Sequence, residues 1–187
     1  WSALGPGLSG EIYALAVDGG KVYAGGNFFQ WAGVVGANYI AKWNGSSWSP
    51  DSTGMGNIWV SSLAISDTTI YAGTYGGGVY SSTMNGSGWT ADTTGMGNVN
   101  IFSLTISGST IYAGSYGEIF LSRNNGASWT SLTNGLPPGF INTMTTGGNN
   151  IFAGGTNGIF LSSDSGASWA PINGAVSIFS TVLSIAI

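Results

Sequence analysis

Apolar residues recur at short range between small or polar ones, as in Ile12, Leu15 and Val17 or Ile101, Leu104 and Ile106. The runs are five to seven residues long and are bounded by Gly, Asn or Asp. That length and punctuation predict β-strands rather than helices. Four strands can be placed per unit. The first is apolar (Ile12 to Val17, Val60 to Ile65, Ile101 to Ile106, Ile141 to Thr146). The second carries an Ala-Gly pair in VYAGG, IYAGT, IYAGS and IFAGG, starting at Val22, Ile70, Ile111 and Ile151. The third covers Tyr39 to Trp43, Val79 to Ser82, Ile119 to Ser122 and Ile159 to Ser162, and a short fourth carries a Trp. Turns such as Asp18-Gly19-Gly20 and Gly147-Gly148-Asn149-Asn150 supply the positive φ that tight hairpins need between the first two strands.

The units repeat. NGSSW, NGSGW, NGASW and SGASW end at Trp48, Trp89, Trp129 and Trp169, spaced 41, 40 and 40 residues apart, with Gly45, Gly86, Gly126 and Gly166 at the same place in each. A period of about 40 with four strands predicts an all-β chain of β-propeller blades. A parallel β-helix is the runner-up, but its coils are usually shorter and need no antiparallel turns. The small Ala-Gly pair predicts close approach of neighbouring blades near an axis. The chain reads as one domain over 1–187, with repeats of approximately 1–47, 48–88, 89–128, 129–168 and a partial 169–187.

Composition narrows the function. Only 5% of residues are charged, but 43% are hydrophobic and 13% aromatic, too much apolar surface for a disordered chain. Seven acids against three basic residues give a formal charge of -4, so no cationic surface favours nucleic acid. With no Cys and no His, disulfides, imidazole ligands and an ordinary proton shuttle are excluded. No run approaches the ~20 apolar residues of a membrane-spanning helix. No loop gathers more than one acid, so neither a calcium site nor any other cofactor is expected.

Ser162-Ser163-Asp164-Ser165-Gly166-Ala167-Ser168-Trp169 fits the pattern S-x-D-x-G-x-x-W, and Ser122 to Trp129 fits it with Asn124 in the Asp position. In these two repeats the chain resembles the BNR/Asp-box propellers, a group that includes sialidases, xyloglucanases, sortilin-type receptors and many secreted bacterial proteins. Ser82 to Trp89 departs by having Met84, and Ala41 to Trp48 by having Ala41 and Trp43. The resemblance implies that the box is architecture, lying away from any active site. The Asp or Asn would accept bonds from its own turn, the Gly would take the left-handed position, and the Trp would close the hairpin.

Sialidases hold their substrate carboxylate with three arginines, and this chain has only Arg123. A glycosidase of another kind needs two facing carboxylates. Here Asp51 and Asp92 open the matching DSTGMGN and DTTGMGN connections, Asp18 and Asp67 sit in matching turns, and Glu11 and Glu118 have no evident partner. The expectation is a non-catalytic module for recognition, adhesion or scaffolding, extracellular or at a cell surface. The competing reading is a fragment of a secreted glycoside hydrolase-like propeller whose catalytic residues lie outside this chain.

One surface is a candidate for a ligand, either glycan or another protein. Beyond the Gly of each second strand stand Phe28, Tyr75, Tyr116 and Asn157, expected in the loop before the third strand. The first repeat adds Phe29 and Trp31. Rings among amides and hydroxyls suit a neutral sugar; the bland alternative is that they wedge between blades. At the ends, Trp1 to Leu4 aligns with a fourth strand and Val182 to Ile187 with a first strand. That predicts four complete blades plus an orphan strand at each end, completed by further blades or by another chain.

Overall fold

A computed structural model describes residues 4–5, 8–28, 38–84, 88–172 and 181–187. Among them are sixteen strands in four sheets. The first sheet holds β1 (Gly10–Asp18), β2 (Lys21–Phe28), β3 (Ile40–Trp43) and β4 (Trp48–Pro50). The second holds β5 (Val60–Ser66), β6 (Thr69–Thr74), β7 (Gly78–Thr83) and β8 (Thr90–Asp92). The third holds β9 (Ser103–Ser107), β10 (Thr110–Gly114), β11 (Ile119–Ser122) and β12 (Thr130–Leu132). The fourth holds β13 (Ile141–Gly147), β14 (Asn150–Gly155), β15 (Gly158–Ser162) and β16 (Ala170–Pro171).

Each sheet is an antiparallel meander in chain order, so each is one blade. The first strands β1, β5, β9 and β13 pack against one another in succession and form the inner edge of a partial β-propeller. Every fourth strand falls after its Trp or starts on it, so each blade runs a few residues past the repeat boundaries drawn at the Trp. Ile101 and Phe102 stand ahead of β9, and Tyr39, at φ 65°, stands ahead of β3.

The Ala-Gly pair is where blades meet. A methyl group added to Gly73 would come within 2.6 Å of Ile101 Cγ2 in the next blade, and one on Gly114 within 2.7 Å of Ile141 Cγ2. Side chains fill the rest. Tyr23 and Ile40 of the first blade pack with Val60, Ile70 and Ala72 of the second. Tyr71 and Val79 of the second pack with Ile101, Ile111 and Ala113 of the third, and Tyr112 and Ile119 of the third with Ile141, Ile151 and Ala153 of the fourth. Tyr23 Oη donates to Met84 O at 2.8 Å and Tyr112 Oη to Ser165 O at 3.3 Å, tying the first and third blades to a turn of the blade that follows.

The turn after the third strand is held as its residue types require. Ser162 Oγ donates to Asp164 Oδ1 at 2.7 Å and accepts from Gly166 N at 2.8 Å, while Ser168 N donates to Asp164 Oδ1 at 2.9 Å. The third blade repeats this with Ser122, Asn124, Gly126 and Ser128 at 2.9, 2.9 and 3.0 Å. Gly126 and Gly166 have φ of 87° and 88°, and a methyl on Gly166 would also strike Leu132 Cδ1 at 2.9 Å. Only glycine meets both demands. In the first blade Asn44 Oδ1 instead accepts from Ser46 and Ser47 amides, with Gly45 at φ 101°. Gly86 lies outside the described residues.

The Trp does more than close its hairpin. Trp89, Trp129 and Trp169 are buried, and their backbone amides donate to Thr53 O, Thr94 O and Asn134 O at 2.8, 2.8 and 3.0 Å. Those carbonyls belong to the connection leaving the preceding blade, so each Trp is an inter-blade clasp. Trp48 is less buried, and its Nε1 donates to Leu4 O at 2.9 Å, much as Trp89 Nε1 donates to Asp51 O at 2.5 Å.

Candidate aromatic binding surface

The loops leaving the second strands and the connections entering the next first strands meet at one end of the blades. Tyr75 N donates to Trp59 O at 3.0 Å, Gly78 N to Val99 O at 2.9 Å, and Gly117 N to Gly139 O at 2.7 Å. The first bond lies within one blade, and the other two bring together residues that the sequence keeps in different repeats. Tyr75 and Tyr116 each stand two residues past the inner Gly of their strand and are 53% and 58% exposed. Trp59 and Phe140 immediately precede β5 and β13, and Phe102 immediately precedes β9.

The five rings form a continuous stripe across the second, third and fourth blades. Centroid separations are 5.7 Å for Trp59 and Tyr75, 6.2 Å for Tyr75 and Phe102, 5.1 Å for Phe102 and Phe140, and 5.2 Å for Phe140 and Tyr116. The last three contacts are edge-to-face, at 74°, 87° and 81°, an arrangement that the ring quadrupoles favour. Hydrogen bonds fix the backbone beneath: Phe140 N donates to Thr156 Oγ1 at 3.2 Å, and Asn157 Nδ2 to Pro138 O at 2.8 Å. Ser115 Oγ donates to Asn100 O at 2.8 Å in the neighbouring connection.

One residue expected here, Phe28, is placed otherwise, while Asn157 stands in the expected loop between β14 and β15. Phe28 is the last residue of β2, paired with Gly10, and at 1% exposure its ring lies in the interior with Ala41, Leu8 and Trp48 packed around it. It stands three residues past Gly25, where Tyr75 stands two past Gly73; a one-residue slip along a strand turns a side chain to the opposite face. Asn157 is likewise three past Gly154, and its amide is engaged by Pro138. Asn27 and Thr156 occupy the places equivalent to the two tyrosines. Phe29 and Trp31 lie outside the described residues.

None of the five aromatic residues is charged. Glu118, two residues past Tyr116, accepts from Ser131 Oγ at 2.6 Å, and Glu11 accepts from Tyr13 Oη. Asp51 pairs with Lys42 at 3.5 Å; burial pushes its carboxyl up from the usual range, against the pull of Lys42. Burial also raises Asp92, partly offset by Ser81. Among the described residues no group of three or more Asp or Glu could hold a metal ion, and no helix is long and apolar enough to cross a membrane.

With the geometry in view, the class is that of the β-propellers. The chain is similar to an ancestral GH74 enzyme (TM-score 0.74, 20% identity), covering 94% of this chain and 26% of that one. It is similar to the extracellular domain of BT4673 from B. thetaiotaomicron (TM-score 0.70, 16% identity), over 91% of this chain and 23% of that one. It also resembles the computationally designed Ika4 protein (TM-score 0.65, 16% identity), over 83% and 92% of the two chains. The chain thus spans about a quarter of the length of the GH74 enzyme and of the BT4673 domain. The sequence matches no family model and no curated protein.

Proposed function

We propose that the chain is a non-catalytic propeller module, extracellular or at a cell surface, that recognises neutral glycan through the stripe of Trp59, Tyr75, Phe102, Phe140 and Tyr116. The continuity of the five rings, each 5.1 to 6.2 Å from the next, carries this reading. Exposed rings cover the apolar faces of pyranoses, and the phenolic hydroxyls of Tyr75 and Tyr116 supply groups that can bond sugar hydroxyls. No charge on the stripe demands a charged ligand. The repeats are taken to be of the Asp-box type, on the strength of the Ser162 and Ser122 turns.

Calorimetric titration with soluble neutral oligosaccharides, β-glucans and mannans, tests the reading. A Tyr75→Ala/Tyr116→Ala variant should bind at least about tenfold more weakly, a loss of about 1.4 kcal/mol, with an unchanged melting temperature. Absence of binding to every oligosaccharide, or equal binding by the variant, would remove it. A second reading, a piece of a glycoside hydrolase-like propeller with its acids in other blades, draws support from the fold shared with the GH74 enzyme. Paired acids on loops of adjoining blades would favour it.

A further inference from the structure

On the face that each blade turns to the next, the third and fourth strands carry a diagonal pair of side chains beside the buried Tyr of the second strand. Register makes these pairs equivalent. Tyr23 stands across from Lys42, Tyr71 from Ser81 and Tyr112 from Leu121. On the fourth strand side, Val79 stands across from Asp92 and Ile119 from Leu132, while Asp51 follows Pro50, the partner of Ala41. The pairs are therefore Lys42 with Asp51, Ser81 with Asp92, and Leu121 with Leu132. The turn of the following blade confirms the match in space, since a methyl on Gly126 would lie 2.9 Å from Asp92 Oδ2 and one on Gly166 2.9 Å from Leu132 Cδ1.

Two of the three pairs are complementary. Lys42 Nζ lies 3.5 Å from Asp51 Oδ1 as an ion pair, and Leu121 and Leu132 pack together in one apolar cluster with Tyr112 and Trp169. In the second blade the acid is kept and its cation is gone. Asp92 Oδ2 is closed off from solvent and has no hydrogen-bond partner among the described residues. Burial raises both carboxyls; Lys42 pulls Asp51 back, whereas the Ser81 hydroxyl alone pulls on Asp92.

The volume that a lysine stem would fill is a pocket. It measures about 310 Å³ and is lined by Thr69, Tyr71, Ser81 and Thr90 of the second blade and by Asn125 in the turn of the third. None of these side chains is cationic, and the Asp67 carboxylate stands near enough to act on the Tyr71 hydroxyl. The first-strand hairpin and the Asn125 turn both lie at the end of the blades opposite the aromatic stripe, so this is a separate site. One carboxylate among hydroxyls is too few hard ligands for a calcium ion, but it matches an ammonium, whose three donors can meet a carboxylate and two hydroxyls at once.

We propose that the cleft between the second and third blades binds a primary alkylammonium group, which pairs with the Asp92 carboxylate in the place that Lys42 holds beside Asp51. The Ser81 and Thr90 hydroxyls take its remaining protons, and the alkyl stem runs outward past Tyr71 and Asn125. A lysyl side chain and a polyamine both present this group.

Amide NMR of the isotopically labelled full chain, titrated with Nα-acetyl-lysine methylamide and with putrescine, tests this, with butanol as the uncharged control. Amides of Ser81, Thr90, Asp92 and Asn125 should shift and saturate in the millimolar range, and those of Tyr75 and Tyr116 should stay still. The stronger of the two amines tells a peptide lysine from a polyamine as the source. Asp92→Asn keeps the shape and should weaken binding at least about tenfold. Ser81→Lys supplies the cleft with its own ammonium, as in the first blade, and should abolish binding while raising the melting temperature. No shift with either amine, equal shifts with butanol, or binding unchanged in either folded variant would overturn the proposal.

Discussion

Asn124 and Asp164 do the same task with different titration behaviour. Both accept from a Ser hydroxyl and from the amide four residues on, but only Asp164 is a carboxylate, also accepting from Ser168 Oγ at 2.5 Å. The hydroxyl and amide of Ser168 and the hydroxyl of Ser162 hold its pKa down to about 2. A folded value below the unfolded one gives stability that is present above the ordinary carboxylate range and lost as pH falls through about 2. Asp164→Asn should therefore fold like the third blade at neutral pH and flatten the acid limb of the melting temperature between roughly pH 4 and 2. Asp92 has the opposite sign. Burial raises its carboxyl, so its ionised form opposes folding and its contribution improves as pH falls through the raised value. Asp92→Asn should raise the melting temperature at pH 7 more than at pH 4, as thermal scans at the two pH values would read.

At the scale of strands and turns, the blade contact depends on atoms that are absent. Gly73→Ala forces a methyl against Ile101, while Gly88→Ala meets nothing closer among the described residues than Thr53 O at 3.7 Å and has no left-handed φ. The first should cost about 1–3 kcal/mol in chemical denaturation, and the second should be close to neutral. Trp129→Ala removes a buried ring and should cost about 3–5 kcal/mol. Strands, hairpin turns and the inter-blade role of the Ala-Gly pair were legible because each is a local pattern repeated four times. The stripe was legible only in part. Tyr75 and Tyr116 recur at one offset, but Trp59 and Phe140 stand where the other repeats have Glu11 and Asn100, Phe102 stands where they have Tyr13, Ser61 and Asn142, and only the meeting of loops within and between blades joins them. An aromatic just before an inner strand, seen at Trp59 and Phe140, was the available signal. Phe28 misled because offset within a strand, not nearness to a glycine, decides which face a ring takes.

For the whole molecule, a row of blades that touch only their neighbours behaves as a one-dimensional array, in which stability is a sum of blade and interface terms. Blades flanked on both sides should then open last. Here the second and third blades have two complete interfaces each, while β1 has exposed positions along most of its length and β16 is a two-residue exposed strand. Native-state hydrogen exchange at low concentration should therefore find the slowest amides in β6 and β10, and the fastest strand amides in β1 and β16. If the array were instead one cooperative unit, the slowest amides of all four blades would exchange at a common global rate.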